Sequence, residues 1–325
     1  MGTNYTNTLA GMLLLNDARM ADIYPNQVLD DAPVIAKATA IPASAGGTLH
    51  KYVRRSHTAG AGFRELNSGI TNVAERFDDI DCTCKIMDAS FTRDVMLADA
   101  YRKGRDAYIQ KETLAALKAG MYAIENALFS RSVTTAFKGF AQFSELETTS
   151  GAQVLSAGGA GGKSVYLIRW GEDATAIVAG NDGKMDFKWD AENPTVVRVT
   201  DSGATNVYSA YLVTLAGYFG LQIGSSHDVV RIANLDGTSD DLLTDDLLST
   251  ALSMFPASRP PNMIAMNRTA LKELQQSRTA TNPTGAPAPF PQEAFGVPIT
   301  VTDALSTGET TVDSTTSPTT TSASV

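Results

Sequence analysis

Three stretches of the chain carry residue types at spacings that could do chemistry. The first is Ala157-Gly-Gly-Ala-Gly-Gly-Lys-Ser164, which ends Gly162-Lys163-Ser164 as a phosphate-binding loop does. In such a loop, backbone amides at a helix N-terminus meet the phosphates and the lysine neutralises them. That chemistry needs a strand before the loop and a helix after it. Here residues 146–156 are polar with no β run, and the loop enters Val165-Tyr-Leu-Ile-Arg-Trp170, a strand pattern. The segment reads as a flexible hinge. The second stretch is Cys82-Thr-Cys84, half of a thiolate metal site, but no second Cys or His pair completes it. Ile80, Cys82, Cys84 and Ile86 alternate with Asp81, Thr83 and Lys85, so the cysteines read as small buried hydrophobes on a half-buried strand. The third is Ser225-Ser-His-Asp228. Catalytic triads are spatial constellations, and four sequence neighbours in a turn do not make one.

Other candidates have the same weakness. Asp240-Asp241 and Asp245-Asp246 read as the start and polar face of one helix. Asn181-Asp-Gly183 lacks the carboxylate ladder and terminal Glu of a calcium loop. No catalytic, cofactor-binding or metal site is expected.

Composition agrees. The 325 residues include 43% hydrophobic and 19% charged ones, an ordinary globular balance for about two domains. Lys and Arg total 26 against 35 Asp and Glu, a net charge of −9, which argues against a broad basic surface for nucleic acid. Two cysteines exclude a disulfide-stapled scaffold. The apolar run Met12 to Leu15 is too short for a secretory signal or a membrane span, and a cytoplasmic protein is expected.

The elements that would position these residues follow from periodicity. Residues 5–24 predict a helix with Leu9, Met12, Leu13, Met20 and Ile23 near one face, ended by Pro25. Residues 25–45 have no period and read as an extended arm whose apolar residues need a surface elsewhere. Residues 46–76 carry Gly46, Gly47, Gly60, Gly62 and Gly69 together with Lys51, Arg54, Arg55, Arg64 and Arg76, the one locally basic segment. This predicts a long two-stranded loop that rests on a partner, because an isolated hairpin is marginal in water. A mobile surface loop fits the same residues.

Lys103 to Arg131 predicts a helix of ~43 Å, with Leu114, Leu117, Met121, Ile124 and Leu128 repeating at spacings of three and four, a pattern for which a coiled coil competes only on three thin heptads. Short strands are expected at Val165–Trp170, Thr175–Gly180, Met185–Trp189, Val196–Val199, Tyr208–Leu215, Phe219–Ile223 and Val229–Ala233, with a turn at Asp182-Gly183. A helix at Asp240–Phe255, capped by Ser239, precedes a strand at Asn262–Met266. Asn267 then caps a helix at Arg268–Ser277, and a proline-rich loop leads to a last strand at Val297–Val301. Residues 306–325 hold 13 Ser or Thr, and alone such a tail stays disordered.

The order of segments resembles the major capsid protein of tailed bacteriophages, the α+β fold of the Hong Kong ninety-seven type shared with encapsulin shells. Individual stretches resemble it too: Tyr166-Leu-Ile-Arg-Trp-Gly171, Gly220-Leu-Gln-Ile-Gly224 leading to Val229-Val-Arg-Ile-Ala-Asn234, and Met263-Ile-Ala-Met-Asn-Arg268. Phe295-Gly-Val-Pro-Ile-Thr300 with Asp303 resembles the family's closing segment. The resemblance covers most of residues 5–312.

It implies an N-terminal arm at 1–45, an extended loop at 46–78 and a peripheral domain at 79–135 with spine helix 103–131. The axial domain and returning strands would fill 136–300, and a closing segment and tail 301–325. It implies self-assembly into hexamers and pentamers of an icosahedral shell around double-stranded DNA, with the packaged DNA touched non-specifically. Scaffolding, portal and decoration proteins are implied partners; with only a short arm before the loop, a separate scaffold or none is expected. Lys51, Arg54, Arg55 and Arg64 become candidate contacts between subunits, a basic loop over an acidic neighbour that sets register. Charge reversal at Arg54 and Arg55 is expected to block assembly while the subunit stays folded. An encapsulin-like compartment, a bacterial surface or fibre protein, and a nucleotide-dependent enzyme resting on Ala157–Ser164 alone are the alternatives.

Overall fold

The computed structural model describes residues 32–44, 47–57, 62–69, 74–130, 135–180, 188–189, 195–200, 207–237, 241–280 and 286–313. The expected helix at 5–24, the Asp182-Gly183 turn and the tail beyond 313 lie outside them. In chain order come β1 (Ala40–Pro42), β2 (Leu49–His57), β3 (Arg76–Thr83), β4 (Lys85–Asp88) and β5 (Phe91–Asp94). Helices α1 (Val95–Asp99), α2 (Arg105–Phe129) and α3 (Ser144–Glu147) follow. Then come β6 (Val154–Ser156), β7 (Lys163–Ile168), β8 (Thr175–Ala179), β9 (Lys188–Trp189), β10 (Thr195–Thr200) and β11 (Val207–Val213). β12 (Leu215–Ile223), β13 (Val229–Leu235), α4 (Asp245–Ser253), β14 (Met263–Met266), α5 (Arg268–Ala280), β15 (Glu293–Ala294) and β16 (Val297–Val301) complete the chain.

Two compact units form. One comprises Met1–Ala32, Ile86–Ile124 and Asp186–Gly217 and is built on the antiparallel sheet β10-β11-β5. Asp94 caps α1 by accepting the Met96 amide at 2.8 Å. Tyr101, Tyr108, Ile109, Tyr211 and Val213 form its core. Arg93 on β5 forks onto Glu112 on α2 at 2.6 and 3.0 Å.

α2 has 25 residues, about 38 Å at the helical rise. Ile124 and Leu128 are buried, but Leu114 is exposed. In the first half, Tyr108, Ile109 and Thr113 turn inward instead. Tyr108 packs on Tyr101 with centroids 5.6 Å apart, and the larger aromatic area sets which face is buried.

The other unit comprises Pro33–Lys85, Glu125–Met185 and Tyr218–Val325. Its six-stranded sheet runs β15-β16-β14-β7-β13-β6. Val165, Leu167, Val230, Ile232, Ile264 and Met266 face Leu248 and Ala251 of α4 and Ala270 and Leu274 of α5. On β7 the intervening Tyr166 packs against Phe129 at 5.3 Å and Phe140 at 5.8 Å. With both faces covered, β7 is buried along its whole length, which is why it read as a continuous apolar run.

In the same unit β1 runs parallel to β8, and β8 pairs antiparallel with Phe219–Ile223 of β12. The arm residues thus find their surface within the chain. Val34 and Ile35 are buried, and both their amides donate to Glu125 Oε2, at 2.9 and 3.1 Å.

Four expectations change. α4 starts at Asp245 with Thr244 as its cap, accepting the Leu247 amide at 3.3 Å, so Asp241 lies before the helix. Ile86 is exposed, because the inward alternation of Ile80, Cys82 and Cys84 stops where β3 gives way to β4. A strand, β6, does precede the glycine-rich segment. The first part of the Ser/Thr-rich tail is packed, with Val312 buried and its amide donating to Asn234 Oδ1 at 2.8 Å.

Candidate assembly surface

β2 and β3 pair antiparallel with Lys51 opposite Asp81, Tyr52 opposite Ile80, Val53 opposite Asp79, Arg54 opposite Asp78 and Arg55 opposite Phe77. Directly opposed residues share a face, so the ladder sorts them into two sets. One set faces inward. His50 Nε2 lies 2.7 Å from Gln222 Oε1, and the Tyr52 hydroxyl accepts the Ile223 amide at 3.4 Å. Cys82 Sγ donates to Leu221 O at 3.2 Å. Burial pushes the Tyr52 hydroxyl pKa up. Cys82 and Cys84 close on Gly220, where a Cβ would lie 2.8 and 3.2 Å from the two sulfurs, so only glycine fits. The Cys84 thiol is pushed up, first by its hydrogen bond with Cys82 and then by burial.

Arg54 completes this inner anchor. It donates to Glu145 Oε1 at 2.6 Å, with both side chains about one-fifth exposed. Burial acts to raise the Glu145 carboxyl, but the Arg54 hydrogen bond and charge outweigh it and hold the pKa below the ordinary range.

The outer set is different. Lys51 meets Asp81 at 3.2 Å, both more than half exposed. Val53 is 64% exposed and Phe77 54%. Beyond the strands, residues 62–69 form a turn in which the Ser68 amide donates to Glu65 O at 3.1 Å and Arg64 donates to Ser68 O at 3.0 Å. On it Phe63 and Leu66 are fully exposed.

The four basic residues named from the sequence therefore occupy different settings. Arg54 is anchored within its own chain, Lys51 is cross-paired, Arg64 sits at the tip, and Arg55 holds a ladder position opposite Phe77. Charge reversal at Arg54 would set two carboxylates side by side and strain the fold, so it does not test assembly cleanly. Sequence reasoning missed the acids Asp78, Asp79 and Asp81, which face the basic strand, and the tip hydrophobes. Both were readable as an acidic run on the returning strand and as apolar residues between glycines.

The chemical candidates resolve into structural contacts. Lys163 and Glu273 form an ion pair at 2.5 Å, both nearly buried, so this lysine is spent inside the core. Gly162 has φ +106, and a Cβ there would lie 2.3 Å from Leu235 O. Ser226 Oγ lies 3.0 Å from His227 Nδ1 on the surface, while buried Asp228 faces Arg169 and Arg259 at 3.5 and 3.4 Å. Burial raises the Asp228 carboxyl against those two charges. Among the described residues, no group of three or more His, Cys, Asp or Glu could hold a metal ion.

A sheet unit carrying a hairpin with one anchored face, one exposed face and an exposed apolar tip is a subunit with surface left for a partner to cover. The family model for the major capsid protein GP7 matches residues 19–313, and the chain belongs to that family. No curated protein matches it in sequence. The structure of bacteriophage epsilon15 aligns with TM-score 0.67 at 17% identity, covering 96% of this chain and 98% of that one. The bacteriophage JBD30 capsid aligns with TM-score 0.53 at 8% identity, covering 90% and 97%. The JBD30 capsid decorated with minor capsid protein trimers aligns with TM-score 0.51 at 13% identity, covering 90% and 98%. The fold is the α+β capsid fold expected from the sequence. The protein is a phage head shell protein, a component of the virion capsid that assembles with itself into an icosahedral shell. The encapsulin-like and surface-fibre alternatives gain nothing from these matches.

Proposed function

We propose that the shell's working parts follow the division expected from the sequence: arm 1–45, extended loop 46–78, peripheral domain 79–135, axial domain 136–300, and closing segment and tail from 301. In this reading the loop carries contacts between copies in hexamers and pentamers, with Lys51 and Arg64 exposed, Arg55 as a further candidate and Arg54 anchoring its inner face. The observation that carries it is the bare tip. Phe63 and Leu66 lose nothing by being exposed only if another copy covers them, since burying a large apolar side chain stabilises by roughly 1.5–3 kcal/mol.

The shell encloses double-stranded DNA and touches it non-specifically at most, in keeping with a net charge of −9 that disfavours broad phosphate contact. Assembly takes place in the host cytoplasm, with a separate scaffolding protein, a portal and decoration proteins as partners. The protein needs no cofactor and catalyses no reaction; its chemistry is association.

The direct test is electron microscopy of the purified full chain after size-exclusion chromatography. Closed shells, tubes or capsomer rings are expected. A monomer that also fails to assemble with its phage's scaffold would overturn the reading. For the loop, Lys51 and Arg64 are both changed to Ala. The expected outcome is an unchanged melting temperature and no shells; normal shells would remove the loop from the interface.

A further inference from the structure

A second bare apolar feature lies in the six-stranded sheet unit, at its edge. β15 and β16 pair with Glu293 opposite Pro298 and Ala294 opposite Val297, leaving a two-residue turn, Phe295-Gly296. Both turn residues are left-handed, at φ +52 and +78. That backbone suits Asn-Gly, and a bulky aromatic at its first position is strained. Phe295 is also 59% exposed, and Phe290, five residues earlier beside Pro291, is 63% exposed. Strain and exposure both cost the isolated chain, so a contact that buries the aromatic is the physical reason to hold it there.

Between the two phenylalanines lies exposed Glu293, which has no ion-pair partner among the described residues. The hairpin tip has the complementary arrangement: Arg64, likewise without an ion-pair partner among those residues, lies between bare Phe63 and Leu66. We propose that the Phe290–Phe295 segment of one copy receives the hairpin tip of a second copy. Phe63 and Leu66 pack on Phe290 and Phe295, and Arg64 meets Glu293. Glu65 leaves the tip without net charge, so the charge pairing is local and sets register more than affinity. The contact joins two different surfaces, so it repeats from copy to copy around a closed ring. The inference rests on the reading that the tip contacts another copy, and adds the surface that receives it.

The test uses the full chain under conditions in which the wild-type chain forms shells, followed by sedimentation and electron microscopy. Phe295→Asn creates the preferred Asn-Gly turn. It is expected to raise the melting temperature of the unassembled chain by a few degrees and to lower shell yield about tenfold or more. A merely structural Phe295 would move both quantities together. Arg64→Glu and Glu293→Arg are each expected to lower shell yield, and the two combined in one chain to restore it. Wild-type assembly by Phe295→Asn, or no rescue by the combined swap, overturns the inference. Loss of shells with Arg64→Glu alone, while Glu293→Arg and Phe295→Asn assemble normally, leaves the tip reading standing and removes this receiving surface. Normal assembly by Arg64→Glu removes both.

Discussion

Arginine is treated in opposite ways by the six-stranded sheet and the β2–β3 hairpin. On β13, Arg231 is 1% exposed and donates to Ser164 Oγ at 3.1 Å, Leu146 O at 3.0 Å and Glu309 Oε2 at 2.8 Å, over the Tyr166 ring. At the hairpin tip, Arg64 has one backbone carbonyl and is flanked by bare hydrophobes. Arg54, on the inner face of the paired strands, lies between these extremes. On β7 and β13 the buried charges of Lys163 and Arg231 are answered within the chain, whereas toward the tip the answers run out. Folding and assembly therefore depend on different residues and can be disturbed separately.

The largest effect should come from Arg231→Ala. Removing one member of a buried, hydrogen-bonded ion pair leaves Glu309 uncompensated and costs about 3–5 kcal/mol. Urea unfolding should show that loss, and the closing segment 305–313, held through Glu309 and Val312, should become protease-sensitive first. If Arg231→Ala folds with wild-type stability, the sheet is not self-sufficient in the sense argued here.

Glu125 is the next test. Its Oε2 accepts the Val34 and Ile35 amides and its Oε1 accepts the Thr302 hydroxyl, so it pins the arm and the closing strand to the end of α2. Burial raises its carboxyl pKa, and these three hydrogen bonds only partly oppose that. Glu125→Ala orphans two buried amides and should cost about 2–3 kcal/mol. Glu125→Gln keeps an acceptor for the amides and loses the desolvated charge. A raised folded-state pKa contributes stability that is full below the unfolded value and lost as pH rises through the folded value. Wild type should thus gain on Glu125→Gln as the pH is lowered from neutral into the mildly acid range. Parallel unfolding curves for the two across that range would contradict the assignment.

How much of this was visible in the sequence follows from how local each cause is. β7, β8, β13 and β14 were legible because burial on both faces writes itself as an apolar run, and the Asn267 cap because its partner is three residues away, with the Ala270 amide at 2.7 Å. The hairpin was legible from its glycines. Its two faces were not, because alternation assigns a face only once the register is known. Glu125 and Arg231 were invisible as pins, since their partners lie 91 and 78 positions distant. On α2, exposed Leu114 beside buried Tyr108, Ile109 and Thr113 shows that leucine spacing alone does not locate the inward face of its first half.

On the hairpin's inner face, Arg54→Ala should cost about 1 kcal/mol, the value of a partly exposed pair. Because Glu145 is held below its ordinary pKa, its contribution is present above the unfolded value and lost as pH falls through the folded one. The deficit of Arg54→Ala should therefore shrink on acidification, opposite in sign to the Glu125→Gln comparison. A deficit that is flat with pH would mean that Arg54 acts through its stem rather than its charge.

The smallest effect on folding should come from Lys51→Ala on the outer face. Its pair with Asp81 is exposed on both sides, so the expected loss is under about 0.5 kcal/mol and a melting curve should barely move. Asp81 would then stand unpaired beside exposed Val53, on the face that the inner anchors leave free. If that face meets another copy, the variant should assemble more slowly, and the defect should grow as salt is lowered and the unpaired carboxylate is less screened. Light scattering through assembly at two salt concentrations separates the possibilities. A slowed, salt-dependent rise with an unchanged melting temperature places the outer face in the interface. An unchanged rise confines the interface to the tip, and the division between folding and assembling residues then falls beyond the paired strands rather than along the hairpin's length.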